Sequence, residues 1–200
     1  MNHTVEFIFD FGSPTAYLAY TQLPNIASQR KIEILWTPIL LGGVHKASGN
    51  QSPAFVPAKG KWMRNDIAKW ARKYGVAFKA NPYFPINTIS LMRAAVGIQM
   101  ETPDLFLRYV DAIYKAFWTH EINLGEIDHV KKVLEDADID AKAVFALVSN
   151  QAVKDKLKAN SDTAVDRGVF GAPTFFYRDE MFFGQDRLDF LAEAMDNSHK

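Results

Sequence analysis

The sequence of 200 residues contains no cysteine. This absence excludes disulfide bonds, thiolate metal sites and thiol–disulfide exchange by the protein's own side chains. The chain also has no surplus of charge, because 23 basic residues balance 23 acidic ones, and this argues against nucleic acid as a partner. No two histidines have the spacing of metal ligands, so we expect no metal.

Long apolar runs are missing as well. The most apolar run, residues 32–44, is too short to span a bilayer and contains Pro38 and two glycines. Residues 1–12 read as a strand with Asp10 in it and lack the basic start of a signal peptide. We therefore expect a cytoplasmic protein with no membrane partner.

The chain opens with a strand–helix–strand pattern. Apolar residues at alternate positions predict a buried strand over residues 4–10, and residues 32–36 predict a second one. Between them, Ser13 is a favourable N-cap and Pro14 a favourable first helical residue. A helix is therefore expected directly after the first strand, with Pro24 kinking or interrupting it.

The rest of the chain divides into a loop, a helical block and a hairpin. Glycine and proline break any periodicity over residues 41–60, which predicts a long loop. Residues 61–160 show helical spacing. Residues 174–177 and 181–183 predict a β-hairpin, followed by a helix that opens at Asp186.

This order of elements predicts an α/β chain with a thioredoxin-like fold. A large all-helical insertion separates the β-α-β half from the C-terminal β-β-α half. We assign residues 1–60 and 161–200 to a thioredoxin-like domain, with an active-site loop over residues 41–60. Residues 61–160 are assigned to an inserted helical domain.

Several short motifs, in chain order, carry a resemblance to a known family. They are FDFGSP at 9–14, YLA at 17–19, SGN at 48–50, PAKG at 57–60, NPYFPINT at 81–88, GVFGAPT at 168–174 and FGQDR at 183–187. Over essentially its whole length the chain resembles the 2-hydroxychromene-2-carboxylate isomerases and the kappa-class glutathione transferases. These belong to the DsbA-like branch of the thioredoxin superfamily.

The resemblance gives Ser13 a role in thiol chemistry. Redox thioredoxins place an attacking cysteine at this helix start, where the helix dipole and free N–H groups favour a thiolate. Ser13 lacks the sulfur, so the resemblance implies that glutathione brings it as cofactor and that Ser13 stabilises its thiolate. The local pattern alone is equally that of a helix cap.

The resemblance also implies a set of glutathione-binding residues. Pro173 matches a cis-proline that presents Ala172 to a peptide-like ligand, Lys59 is a counter-charge for a carboxylate, and Asp186 is one for the γ-glutamyl ammonium. The full predicted set is Ser13, Asn50, Lys59, Ala172, Pro173, Phe183, Gly184, Gln185 and Asp186.

A second set of candidates concerns the other substrate. His45 or Lys46 is expected to bind a substrate carboxylate, since the register leaves either open. The predicted set is His45, Lys46, Trp62, Asn81 and Tyr83, although aromatic residues at helical spacing also suit a protein core.

The resemblance favours glutathione-dependent cis–trans isomerisation of an aromatic 2-oxo acid through transient addition of the glutathione thiolate. In the family this reaction belongs to aromatic catabolism. Two alternatives stay open: a kappa-type transferase that conjugates electrophiles, and a non-catalytic module that binds glutathione or a peptide. The family also implies a homodimer.

Overall fold

The computed structural model describes residues 4–197. Over that range the strands form one four-stranded sheet in the order β2-β1-β3-β4. They are β1 (Thr4–Phe9), β2 (Glu33–Pro38), β3 (Thr174–Tyr177) and β4 (Glu180–Phe183). β1 is parallel to β2 and antiparallel to β3, and β3 is antiparallel to β4. This mixed sheet, with helices between its halves, confirms the predicted fold class.

Nine α-helices lie within the described residues. They are α1 (Pro14–Gln29), α2 (Leu41–Ser48), α3 (Pro57–Tyr74), α4 (Ile89–Glu101), α5 (Phe106–Trp118), α6 (Ile127–Asp136), α7 (Ala141–Ser149), α8 (Gln151–Asp166) and α9 (Leu188–Asn197). Short 3-10 turns occur at Pro53–Phe55, Pro103–Leu105 and Gln185–Arg187. None of these helices has the length and apolar character needed to cross a bilayer.

Both faces of the sheet are covered. Phe7 of β1 lies in the main core with residues of α1, α4 and α5, and its ring stacks on Phe175 of β3 at 5.3 Å between centroids. Ile8 faces the other way and packs with Ile39 and Val44. Burial on both faces explains why β1 is apolar at successive positions as well as at alternate ones.

The inserted helices share the core of the sheet. The ring of Phe11, just after β1, lies 5.8 and 4.9 Å from the rings of Tyr109 and Tyr114 in α5. Trp118 ends the same helix, and its Nε1–H donates to the Phe11 carbonyl at 2.9 Å. The insertion therefore holds the chain in place two residues before Ser13.

The prediction of a loop over residues 41–60 is wrong, because most of this segment is helical. Its first part forms α2, which ends at Gly49 in the left-handed conformation with φ 72°. Its last part begins α3, with Pro57 at the first helical position. The two glycines inside α2 weaken its periodicity in the sequence, whereas the helix is stabilised by packing of Val44 in the core.

One further expectation differs from the structure, and another is left untested by it. Pro24 does not interrupt α1, which runs continuously from Pro14 to Gln29. The division into two domains stays a prediction, and its boundaries after residues 60 and 160 fall inside α3 and α8. The helical insertion is therefore continuous in backbone structure with the elements on either side of it.

Gly97 provides a test of the packing between α4 and α7. A methyl group at this position would lie 2.8 Å from Leu147 Cβ, so Gly97→Ala should lower the free energy of unfolding by about 1–3 kcal/mol. Gly42→Ala in α2 is the matched control. No atom lies within 4 Å of its added carbon, and alanine should raise stability there by up to about 1 kcal/mol. Urea unfolding of both variants measures the difference, and equal effects would contradict the packing argument.

Candidate active site

Ser13 stands between β1 and α1. It is 4% exposed and has an extended backbone, and its Oγ accepts a hydrogen bond from the Ala16 N–H at 3.1 Å. This confirms the predicted N-cap. The same hydroxyl donates to the carbonyl of Ala172 at 2.8 Å, which connects the start of α1 to the segment before β3.

A second hydroxyl lies beside Ser13. Thr15 Oγ1 is 3.0 Å from Ser13 Oγ and 3.3 Å from the Ala172 carbonyl oxygen. Thr15 is not among the residues predicted from the sequence, because threonine near a helix start carries no distinctive signal. Only the fold places it between the other two groups.

The carboxylate of Asp10 lies under this junction and is 1% exposed. Its Oδ1 accepts from the Gly12 N–H at 2.8 Å, and its Oδ2 accepts from the Leu41 N–H at 2.8 Å and the Thr88 hydroxyl at 3.1 Å. Burial raises the pKa of Asp10, and these three hydrogen bonds oppose the rise. The Asp10 side chain is thus hydrogen-bonded to the segment before α1, to the start of α2 and to the start of α4.

The peptide bond between Ala172 and Pro173 is cis, as the sequence resemblance implied. The Ala172 carbonyl accepts from Ser13 and Thr15, and the Pro173 carbonyl accepts from the Gly184 N–H at 3.0 Å. The Ala172 N–H makes no hydrogen bond to any residue in the range 4–197. A free N–H next to Ser13 suits pairing with the backbone of a peptide-like ligand.

A cavity of about 820 Å³ opens in front of Ser13. Lys46, Lys59 and Arg64 line it together with His45, and none of the described lining residues carries a carboxylate. Burial lowers the pKa of His45, which favours its neutral form at neutral pH. The cavity is therefore positively charged, although the whole chain has no net charge.

The cavity also has an aromatic side. Phe78 and Phe84 line it and pack on Trp118, at 5.9 and 5.5 Å between ring centroids. Met63 and Ile67 of α3 add further apolar surface. The arrangement offers one charged wall and one flat apolar wall to a ligand.

The cavity brings together many of the residues predicted from the sequence. Those that line it are Ser13, His45, Lys46, Asn50, Lys59, Asn81, Ala172 and Phe183. Two of these amides already have structural partners. Asn50 Nδ2 donates to the Phe170 carbonyl at 2.8 Å, and Asn81 Nδ2 donates to two carbonyls of the helical insertion.

The other predicted residues do not line the cavity. They are Trp62, Tyr83, Pro173, Gly184, Gln185 and Asp186. Trp62 and Tyr83 are 66% and 52% exposed, and their role in binding the second substrate stays a prediction. α3 turns Met63 and Arg64 toward the cavity and leaves Trp62 in solvent.

The turn at Gln185–Arg187 is occupied by internal contacts. Gln185 is buried, and its carbonyl accepts from the Tyr74 hydroxyl at 2.7 Å. The Asp186 carboxylate pairs with Arg187 at 2.9 Å, so it already has a cationic partner. No group of three histidine or acidic side chains between residues 4 and 197 is placed to hold a metal ion.

The fold around this cavity is that of a DsbA-like thioredoxin domain. The family model described as a DSBA-like thioredoxin domain matches residues 4–196. Within this class, the chain belongs to the family of enzymes that comprises the 2-hydroxychromene-2-carboxylate isomerases and the kappa-class glutathione transferases.

Relatives of both kinds match nearly the whole chain. The 2-hydroxychromene-2-carboxylate isomerase of Sphingobium xenophagum is 33% identical and covers 96% of this chain and 97% of its own. Glutathione S-transferase kappa 1 of Rattus norvegicus is 27% identical over 94% and 88%, respectively. A solved structure of a 2-hydroxychromene-2-carboxylate isomerase matches with a TM-score of 0.83 at 31% identity, over 97% of this chain and 95% of that one. These findings confirm the resemblance identified in the sequence.

Asp10→Asn tests the hydrogen bonds under the site. The oxygen of the amide can still accept from two of the three donors. Its NH₂ group then points at a backbone N–H, and two donors cannot form a hydrogen bond with each other. We expect a loss of about 1–3 kcal/mol in the free energy of unfolding near pH 4.

The same variant has a predicted pH dependence. Because the folded-state pKa of Asp10 is raised above its ordinary value, the folded wild type holds more protons than the unfolded chain just above that value. The contribution of Asp10 to wild-type stability should therefore fall as pH rises from about 4, whereas Asn at this position does not titrate. The difference between the two proteins, measured by urea unfolding across pH, should shrink with rising pH. A widening difference would show that the pKa is lowered.

Proposed function

We propose that the chain is a glutathione-dependent isomerase of an aromatic 2-oxo acid. The observation that supports this most is the cavity at Ser13, where Lys46, Lys59 and Arg64 meet no carboxylate among the described lining residues. Glutathione has more carboxylate than ammonium groups, and a 2-oxo acid brings another carboxylate. A cavity with surplus positive charge compensates that combination.

The groups around Ser13 fit a thiol peptide. The Ala172 N–H and the Thr15 N–H have no hydrogen-bond partner among residues 4–197, and both belong to the segments beside Ser13. The start of the 16-residue helix α1 favours negative charge through its dipole. When bound, glutathione would supply a thiolate that can add to a conjugated carbon and leave again, so that the bond rotates in between.

The chain's own residues have separate tasks in this proposal. Ser13 donates a hydrogen bond that favours the thiolate over the thiol. Lys59 and Lys46 bind carboxylates, and Lys46 is the stronger choice of the two substrate candidates because burial favours neutral His45. Phe78, Phe84 and Trp118 cover the aromatic ring and exclude water.

A kappa-type glutathione transferase is the second candidate. It would use the same glutathione contacts. Its product would be a glutathione conjugate, whereas the isomerase would release the isomerised substrate and free glutathione. The relatives favour the isomerase, because the isomerase from Sphingobium xenophagum shares 33% of its sequence with this chain and the rat transferase 27%.

Turnover with 2-hydroxychromene-2-carboxylate distinguishes the candidates. For an isomerase we expect the ring-opened trans product to accumulate while free glutathione stays constant. A transferase consumes one molecule of glutathione for each molecule of electrophilic substrate that it conjugates. A binding module shows saturable glutathione binding and no turnover. Stoichiometric loss of glutathione would contradict the isomerase proposal.

Lys59 and Lys61 provide a matched test of the charged wall. Both lie in α3 and carry the same charge, but only Lys59 lines the cavity. Lys59→Gln should raise the Kd for glutathione about 5- to 10-fold, the effect of losing one partly exposed ion pair and its hydrogen bond. Lys61→Gln should leave the Kd unchanged. Isothermal calorimetry at low and high salt measures both, and equal effects would mean that only overall charge matters.

A further inference from the structure

The Ser13 hydroxyl has a single proton, and in this structure that proton already takes part in a hydrogen bond. Ser13 Oγ accepts from the Ala16 N–H and donates to the Ala172 carbonyl at 2.8 Å. Stabilising a thiolate requires the same proton to point at sulfur. If Ser13 turned away, the buried Ala172 carbonyl would lose its shorter hydrogen bond and keep only the 3.3 Å one from Thr15, and a poorly paired buried acceptor is costly.

Thr15 is placed to remove that cost. Its hydroxyl donates to the Ala172 carbonyl at 3.3 Å and its Oγ1 lies 3.0 Å from Ser13 Oγ, so a small rotation can shorten this bond and make Thr15 the main donor to the carbonyl. Thr15 also lines the cavity, where a ligand would meet both hydroxyls. The three groups form a triangle in which two donors share one carbonyl acceptor.

We propose that Thr15 is a positioning residue that takes over the Ala172 carbonyl when Ser13 directs its proton to the sulfur of bound glutathione. This inference rests on the proposed function. No covalent bond forms at Ser13 or Thr15: the thiol proton leaves to bulk water, the Ser13 proton changes acceptor, and the Thr15 proton replaces it on the carbonyl. Thr15 therefore acts on the thiol through Ser13.

The test compares four variants with the wild type. Thr15→Val removes the hydroxyl but keeps a β-branched side chain of similar shape, and Thr15→Ser keeps the hydroxyl. Ser13→Ala removes the donor itself and is examined with and without Thr15→Val. The readout is the thiolate ultraviolet absorbance of saturating bound glutathione as a function of pH, with thermal unfolding to confirm that each variant is folded.

We expect Thr15→Val to raise the pH midpoint of thiolate formation by about one unit, the equivalent of one hydrogen bond. Thr15→Ser should keep the wild-type midpoint. In the Ser13→Ala background, Thr15→Val should leave the pH midpoint of thiolate formation unchanged, because the Ser13 hydroxyl proton is absent. An unchanged midpoint in Thr15→Val overturns the inference. So does an equal shift with and without Ser13, which would mean that Thr15 acts on sulfur directly.

The failure of the underlying function gives a different result. If the wild type does not bind glutathione in calorimetry, or if bound glutathione titrates like the free thiol, the proposed function fails and the role of Thr15 fails with it. If the wild type lowers the midpoint and only the Thr15 variants lack an effect, the proposed function stands and the role of Thr15 alone is refuted.

Discussion

The buried carboxylate of Asp10 is the constraint on which the arrangement of the site depends. It accepts hydrogen bonds from Gly12, Leu41 and Thr88, which stand at the starts of three helical segments. Two of these segments carry cavity residues, namely Ser13 on α1 and Lys46 on α2. A buried acceptor that satisfies two backbone N–H groups and a hydroxyl holds their separation tightly, because moving any one of them leaves a polar group unpaired.

In the proposed function, the protein supplies an environment for a reactive sulfur but not the sulfur itself. The environment has a helix start, two hydroxyls and several cations, and the chain has no cysteine. The electrostatics do not follow from composition, since the charges of the chain cancel. They follow from placement, because α2 and α3 direct Lys46, Lys59 and Arg64 into one cavity. A positive local field in a neutral protein attracts an anionic ligand at short range without long-range steering.

Much of the fold was predictable from local patterns. Alternation identified β1, the Ser13-Pro14 pair identified the start of α1, and the hairpin at the end of the chain was recognised from its apolar runs. The prediction of a loop over residues 41–60 is wrong, although the segment contains two helix signals. Gly49 follows the last residue of α2, and Pro57 is the first residue of α3. Arg64 lies in the block that was predicted to be helical, but a charged residue on a helix has no local signal that it faces a cavity, so Arg64 was missed as a site residue.

Residue identities alone establish that any thiol chemistry needs a sulfur from outside the chain, and local pattern establishes that Ser13 caps a helix directly after a buried strand. These conclusions depend on residue identity and on neighbours in the chain, which a sequence records. Tertiary packing, by contrast, sets which groups lie around Ser13. Its hydrogen-bond acceptor, Ala172, lies 159 residues away, and Thr15 gains its position only through that contact. Packing of the sheet and the inserted helices brings these groups together, and no local pattern encodes such a convergence.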